Sequence, residues 1–379
     1  MENKTQLRRT GCAAFFLSGI CAISSGVVVS HLQQTYGFAY SLSGTLLSLM
    51  SVGNLIAAFL AGVLPGRIGL RRTALVLGAG YTLGYLLMTA GGRAALLAAA
   101  FFLVGLAKGG VLNVCTILVG GNSPDRTRGL NTMHACYACG ALLCPLILTL
   151  TAGVHPALPM AVLGLLGAAL WGLFARTPLQ GSGEAKTQTD WSFLHSARFW
   201  LLTALLFCQN AAETSVTGWL VTYFKDREIL SASVSPYTVT LLWGATMAAR
   251  LWLAFVCPPK NAHRAMTIMG VGCTVFYIAL MQATTQGAAL ALLLAFALSI
   301  AGMNPTAVAC AGRMMSVTSM GVMLPAASLG AIVMPWIIGV VADHAGIAAG
   351  MAANVVPCAG MLLFAALVWK FSTTTAEVG

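Results

Sequence analysis

The sequence predicts an all-α membrane protein of twelve transmembrane helices arranged as two six-helix bundles. Composition comes first: the chain is 58% hydrophobic and 8% charged, whereas charged residues make up about a quarter of a soluble globular chain. Apolar runs close to the roughly 20 residues needed to cross a hydrocarbon core of about 30 Å recur along the chain. Basic residues between the runs then fall almost wholly on alternate connections, as a chain threaded back and forth through a bilayer requires.

The spans lie near residues 11–32, 43–64, 73–91, 95–119, 129–152, 157–175, 198–223, 236–256, 265–283, 287–309, 318–341 and 349–370. Arg8 and Arg9 precede the first of them. That pair imitates a secretory or twin-arginine leader, but the apolar stretch is longer than a signal core and the later connections fit best when it stays as a span. With the N-terminus cytoplasmic, the inner segments carry Lys4, Arg8, Arg9, Arg67, Arg71, Arg72, Arg126, Arg128, Arg176, Lys186, Arg198, Lys260, Arg264, Arg313 and Lys370. Only Arg93, Lys225 and Arg227 fall outside. The expectation is an integral protein of the plasma (inner) membrane, working as a monomer, with both termini cytoplasmic. The net charge of +11 thus reports topology, and its scatter over separate loops excludes a nucleic-acid surface.

The longest polar connection divides the spans six and six, giving a first bundle at 1–176, a cytoplasmic linker at 177–197 and a second bundle at 198–379. The bundles echo each other. Gly140-Ala-Leu-Leu-Cys-Pro145 occupies the fifth span and Gly330-Ala-Ile-Val-Met-Pro335 the eleventh, equivalent places in a duplicated chain. Glycine admits close helix approach and proline a permanent kink. The eleven cysteines are mostly mid-span and read as small packing residues; the Cys136-x-x-Cys139 pair has no second Cys/His pair to make a metal site.

Three charges lie within spans: Lys108, Glu213 and Arg250. An ionisable group at bilayer depth costs roughly 2.5–3.5 kcal/mol on insertion scales and usually faces a protein interior or a water-filled cavity. Lys108 reads as a cavity cation for a carboxylate, phosphate or other anion, or as a lysine snorkelling to the headgroups. Glu213 shares a helix face with Asn210 and Thr217, three residues before and four after it. It is the expected carrier of a coupled proton, since burial favours the neutral carboxyl, although a hydrogen bond to a neighbouring helix would also explain it. Arg250 reads as a substrate contact, an ion pair or a carbonyl clamp. His134 reads as a proton relay or a histidine hydrogen-bonded in a helix interface. Asn304-Pro305 should interrupt the tenth span and free carbonyls for binding. Tyr81 and Ser25 add hydrogen-bonding groups that also serve as interhelical glue. No H-E-x-x-H or G-x-S-x-G motif occurs, and a lone carboxylate offers no acid-base pair, so an enzyme, a metal or a cofactor is not expected.

Between the second and third spans, Gly62-Val-Leu-Pro-Gly-Arg67-Ile-Gly69-Leu-Arg71-Arg72 resembles the signature loop of the major facilitator superfamily, G-x-x-x-D-R-x-G-R-R, with Gly66 in place of its aspartate. In that family the aspartate helps lock the outward-facing state. Leu130-Asn131-x-x-His134-x-x-Tyr137-x-x-Gly140-Ala141, Glu213 with Trp219 and Tyr223, Trp243-Gly244, and Gly339-x-x-Ala342-Asp343 are similar to motifs of the fucose-permease-like branch. The resemblance implies a major facilitator fold, a secondary transporter with rocker-switch alternating access, and cavity-lining first, fourth, seventh and tenth spans. Sugar:proton symporters of that branch carry carboxylates on the first and fourth spans, where this chain has none and Lys108 respectively. The expected cargo is a small polar organic solute, an organic anion on charge or a sugar on family resemblance, with protons as coupling partner. Lys108 and Glu213 are expected to pair, with protonation of Glu213 freeing the lysine. A non-transporting receptor or sensor, or a channel, is the alternative of another class.

Overall fold

The protein is described from a computed structural model that covers residues 2–124, 126–179, 191–257, 259–314 and 317–376. The regular structure among these residues is helical, without strands. The chain divides into two compact units, Met1–Ala185 and Lys186–Gly379. Residues 180–190 of the expected linker lie outside the described residues, and so do the side chains of Arg126, Arg128, Asn131 and Arg313.

The first unit holds α1 (Glu2–Ile23), α2 (Ser25–Tyr36), α3 (Tyr40–Ile68), α4 (Leu70–Thr89), α5 (Ala94–Asn122), α6 (Arg126–Ala152) and α7 (Leu158–Arg176). The first span is α1 and α2 together, interrupted at Ser24. In the second unit a 3-10 turn at Ser192–His195 leads into α8 (Ala197–Asp226), α9 (Tyr237–Phe255), α10 (Ala262–Met281), α11 (Gln286–Ile300), α12 (Met303–Met314), α13 (Val317–Ser328), α14 (Gly330–Ala353) and α15 (Val355–Ala376). Here α11 with α12 form the tenth span, and α13 with the first part of α14 the eleventh. Gly346, at φ +83° inside α14, turns the chain from the eleventh span into the twelfth. Only a residue without a Cβ adopts that backbone angle at little cost.

Helix is what these sequences can form in lipid, because it satisfies every backbone N–H and C=O inside the segment. Among the described residues, eight helical stretches are long and apolar enough to cross a membrane, the last of them, Val322–Ser372, holding two spans. Helices α4, α8 and α9 are not among these stretches; α8 carries Glu213 and α9 carries Arg250. Polarity is arranged inside out. Phe59, Leu165, Phe255 and Val356 face outward, whereas Ser18, Tyr81 and Gln209 are completely buried.

Each unit repeats one packing scheme. In the first, the opening span α1 packs on α6, α5 and α7, while α3 packs on α5, and α4 on α5 and α7. In the second, the equivalent α8 packs on α13 and α14, α12 and α15, while α9 packs on α11, and α10 on α11 and α15. The motif shared by the fifth and eleventh spans explains part of this. A Cβ on Gly140 would run into the carbonyl of Phe16 on α1, and a Cβ on Gly330 into the carbonyl of Phe207 on α8. Equivalent glycines thus bring equivalent helix pairs to backbone contact, the small-residue packing that membrane helices use in place of a hydrophobic driving force.

The basic loop of the first unit is shorter than its sequence suggests. Helices α3 and α4 meet at Gly69, whose φ of +83° reverses the path in one residue. Arg71 donates to the carbonyl of Ala175 near the end of α7, while Arg67 and Arg72 are exposed.

Candidate functional site

The second unit builds its site from one helix-breaking proline. Helix α11 ends at Ile300 and α12 begins at Met303, so the interruption expected at Asn304-Pro305 falls a few residues earlier. Pro305 has no N–H to give to the carbonyl four residues back, that of Ala301, and proline fits a helix without loss of a hydrogen bond only in its first turn. Arg250 of α9 fills the vacancy: its Nε donates to the Ala301 oxygen at 2.9 Å.

The same guanidinium reaches α8. Arg250 Nη2 stands 3.5 Å from Glu213 Oε1, with the arginine side chain 38% and the glutamate 17% exposed. The other carboxylate oxygen accepts from Gln209 Nε2. Gln209 Oε1 in turn accepts from Asn304 Nδ2 at 2.9 Å. The result is a closed circuit over three spans: Ala301 and Asn304 from the tenth, Arg250 from the eighth, Gln209 and Glu213 from the seventh. Each polar group buried in the circuit has a partner, which is the condition for placing such groups at membrane depth.

The circuit contains three residues singled out in the sequence, Glu213, Arg250 and Asn304, and adds Gln209. Periodicity does not separate Gln209 from Asn210, since spacings of four and of three residues put both on the Glu213 face. Asn210 is half-buried on α8. The Thr217 hydroxyl donates to the Glu213 backbone carbonyl at 2.8 Å, so its hydrogen is engaged locally. Seven residues before Arg250, Trp243 Nε1 is buried with no acceptor among the described residues. Trp219 is buried nearby on α8, and its Nε1 donates to the carbonyl of Pro335 at 3.1 Å.

The first unit has a different polar interior. Ser18 Oγ and Tyr81 OH are 2.8 Å apart. Ser24 Oγ and Tyr85 OH are 2.5 Å apart and both reach the carbonyl of Cys21; with one hydrogen each, one hydroxyl donates to that carbonyl while the other donates to its neighbour. Ser25 is buried at the start of α2. His134 on α6 is exposed, its ring edge-on to Phe15 of α1 at a centroid distance of 5.4 Å. Lys108 is half-buried on α5; the next two residues, Gly109 and Gly110, seat that helix against Asn54 of α3 and Leu77 of α4. Gly62 lies in α3, and Pro145 and Pro335 are buried inside α6 and α14.

Two helical units of six spans, one enclosing an ion pair at membrane depth, define an integral membrane protein of the transporter class. A sequence profile of the Major Facilitator Superfamily matches residues 11–324, and the chain belongs to that family. It is accordingly a secondary transporter of a small molecule and not an enzyme. No curated protein matches it in sequence. Solved structures share its fold: a mutant of the nucleoside transporter NupG has a TM-score of 0.78 at 12% identity, over 97% of this chain and 99% of the other. A bacterial homologue of the human lysosomal transporter Spinster, inward-facing and unoccupied, has a TM-score of 0.77 at 13% identity, over 97% of each chain.

Proposed function

We propose that this transporter couples protons to the movement of a small organic anion by alternating access, in a plasma (inner) membrane with both termini cytoplasmic. The observation that carries the reading is the Arg250–Glu213–Gln209–Asn304 circuit. Glu213 has a cation partner in its own unit, so the release step belongs to Arg250 rather than to Lys108. Protonating Glu213 removes the charge that holds the guanidinium, and Arg250 turns to the anionic group of the solute. Trp243 Nε1 supplies a further donor. Lys108 contributes a second positive charge on the fourth span, and His134 an auxiliary route for the proton.

The amide pair supports a second reading. Gln209 and Asn304 carry the donor and acceptor combination that recognises hydroxyl groups, and the sequence motifs resemble the fucose-permease-like branch; both favour sugar:proton symport. At 12–14% identity the structural relatives share only the fold, so the nucleoside named for one of them does not decide the cargo.

Uptake of labelled organic acids and sugars into proteoliposomes, with and without an inward proton gradient, tests the proposal. Wild type should accumulate one class against its gradient, E213Q should retain exchange but lose gradient-driven accumulation, and K108A should lose binding while remaining folded. Gradient-driven accumulation by E213Q equal to wild type would remove Glu213 from coupling. Passive equilibration alone would mark a channel, and binding without flux a receptor or sensor.

A further inference from the structure

We propose that Pro305 is a positioning residue for transport: the Ala301 carbonyl it leaves open anchors Arg250 against Glu213, and makes release of the guanidinium loosen the tenth span. This role rests on the proposed capture of the solute by Arg250. The backbone ladder shows where the carbonyl is lost. Ala301 keeps helical angles, φ −54° and ψ −44°, and donates its N–H to the carbonyl of Ala297 at 3.2 Å. The ladder resumes where Thr306 N–H donates to the Gly302 carbonyl at 3.1 Å. Between these two bonds, the rung from residue 305 to the Ala301 carbonyl has no backbone donor, because proline has no N–H. Arg250 Nε supplies one from α9 at 2.9 Å.

Packing does not account for the proline. Pro305 is exposed, so its ring fills no buried space and an alanine in its place would leave no cavity. Its effect passes through Arg250. The guanidinium is planar, and its Nε and Nη2 keep a fixed relation; a bond at Nε therefore sets the direction in which Nη2 points. The two contacts are unequal. Nη2 stands 3.5 Å from Glu213 Oε1, beyond the roughly 2.7–2.9 Å of a charge-assisted hydrogen bond, whereas the contact with the carbonyl is at hydrogen-bond length. The carbonyl is thus the firmer anchor, and Glu213 is paired with a group that the tenth span holds in place. Turning Arg250 towards a solute breaks both contacts together, and the Ala301 carbonyl then stands without an N–H from its own span. Gly302, the next residue, is where the span can yield: a Cβ there would meet the flexible ends of Leu253 and Met269 rather than backbone. Solute capture on α9 is in this way passed to the tenth span.

The test uses the full-length protein, wild type and P305A, each combined with R250Q, E213Q and both. In P305A the new N–H competes with the guanidinium for the Ala301 carbonyl. The Glu213–Arg250 coupling, read as the departure of the unfolding midpoints from additivity, should fall in P305A to less than half its wild-type value. Any general cost of the substitution is common to all four corners of the cycle and cancels. Hydrogen–deuterium exchange over residues 301–310 gives a second readout that a merely structural proline would not move. R250Q should speed exchange there by about tenfold in the wild-type background, the scale of one hydrogen bond, and by much less in P305A, where the carbonyl has a donor from its own span. P305S brings the same N–H and takes the place of P305A if that variant fails to fold. Equal coupling in both backgrounds, or an equal effect of R250Q on exchange in both, overturns the role of Pro305 and leaves the capture of the solute by Arg250 standing; absence of coupling in the wild-type background overturns both.

Discussion

A double-mutant cycle on Glu213 and Arg250 examines the circuit most directly. At 3.5 Å and an effective dielectric constant of about 20, the gross Coulomb attraction is roughly 5 kcal/mol. That figure is an upper limit, since the arginine side chain is 38% exposed and water screens it. Exposed pairs contribute about 0.2–1 kcal/mol, while breaking a fully buried pair costs about 3–5. The partial burial places the coupling energy near 1–2 kcal/mol by interpolation between these limits. Arg250→Gln also strips the donor from the Ala301 carbonyl, but it does so in both backgrounds, so that loss cancels in the cycle. Glu213→Gln keeps the side-chain length and an oxygen for Gln209. Thermal unfolding of wild type, the two single variants and the double variant supplies the four corners. For a unit of this size the coupling corresponds to a deficit from additivity of roughly 2–8 °C in Tm. Additivity within about 0.5 kcal/mol would refute the claim that the two charges act as a pair.

Two other perturbations follow from the packing. Gly140→Ala and Gly330→Ala should each destabilise by about 1–3 kcal/mol, read as a fall in the unfolding midpoint, because each new methyl meets backbone rather than a yielding side chain; an unchanged midpoint would contradict the close approach. Trp219→Phe should cost about 1–3 kcal/mol by removing the donor to the Pro335 carbonyl, and the loss should appear in stability before it appears in any change of solute preference.

The twelve spans were legible because lipid leaves the backbone few alternatives and because basic residues mark alternate connections. The duplication was legible in two short motifs, since Gly140 and Gly330 are needed at backbone contacts that no other residue permits. The circuit was only half legible. Glu213 and Arg250 stand out as isolated charges, but their partnership joins α8 to α9 across sequence, and no local pattern encodes it. Gln209 is hidden beside Asn210, where periodicity alone gives both equal claim to the Glu213 face. The tenth span breaks before Asn304 because proline disrupts the turn preceding it, and the carbonyl it orphans is found only when Arg250 is seen to reach it. The pairs Ser18–Tyr81 and Ser24–Tyr85 were invisible for the same reason: serine and tyrosine in an apolar span look alike whether they bond to a neighbouring helix or face a cavity.

The two units keep one packing scheme while their polar interiors have diverged, and the division follows from what each kind of contact requires. Backbone-to-backbone approaches such as Gly140 against Phe16 and Gly330 against Phe207 tolerate no side chain, so duplication preserves them or the helix pair separates. Side-chain circuits carry no such constraint. In the first unit the opening span presents hydroxyls, Ser18 and Ser24, to tyrosines of α4. The corresponding span of the second presents Gln209 and Glu213 to Arg250 and Asn304. Neutral hydroxyl pairs hold helices together without responding to a proton near neutral pH, whereas a carboxylate clamped to an arginine changes its partner when protonated. The proposed coupling therefore assigns the switch to the second unit, with its proline-orphaned carbonyl and partly exposed guanidinium, and the first unit's serine–tyrosine pairs should be replaceable at the expense of stability alone.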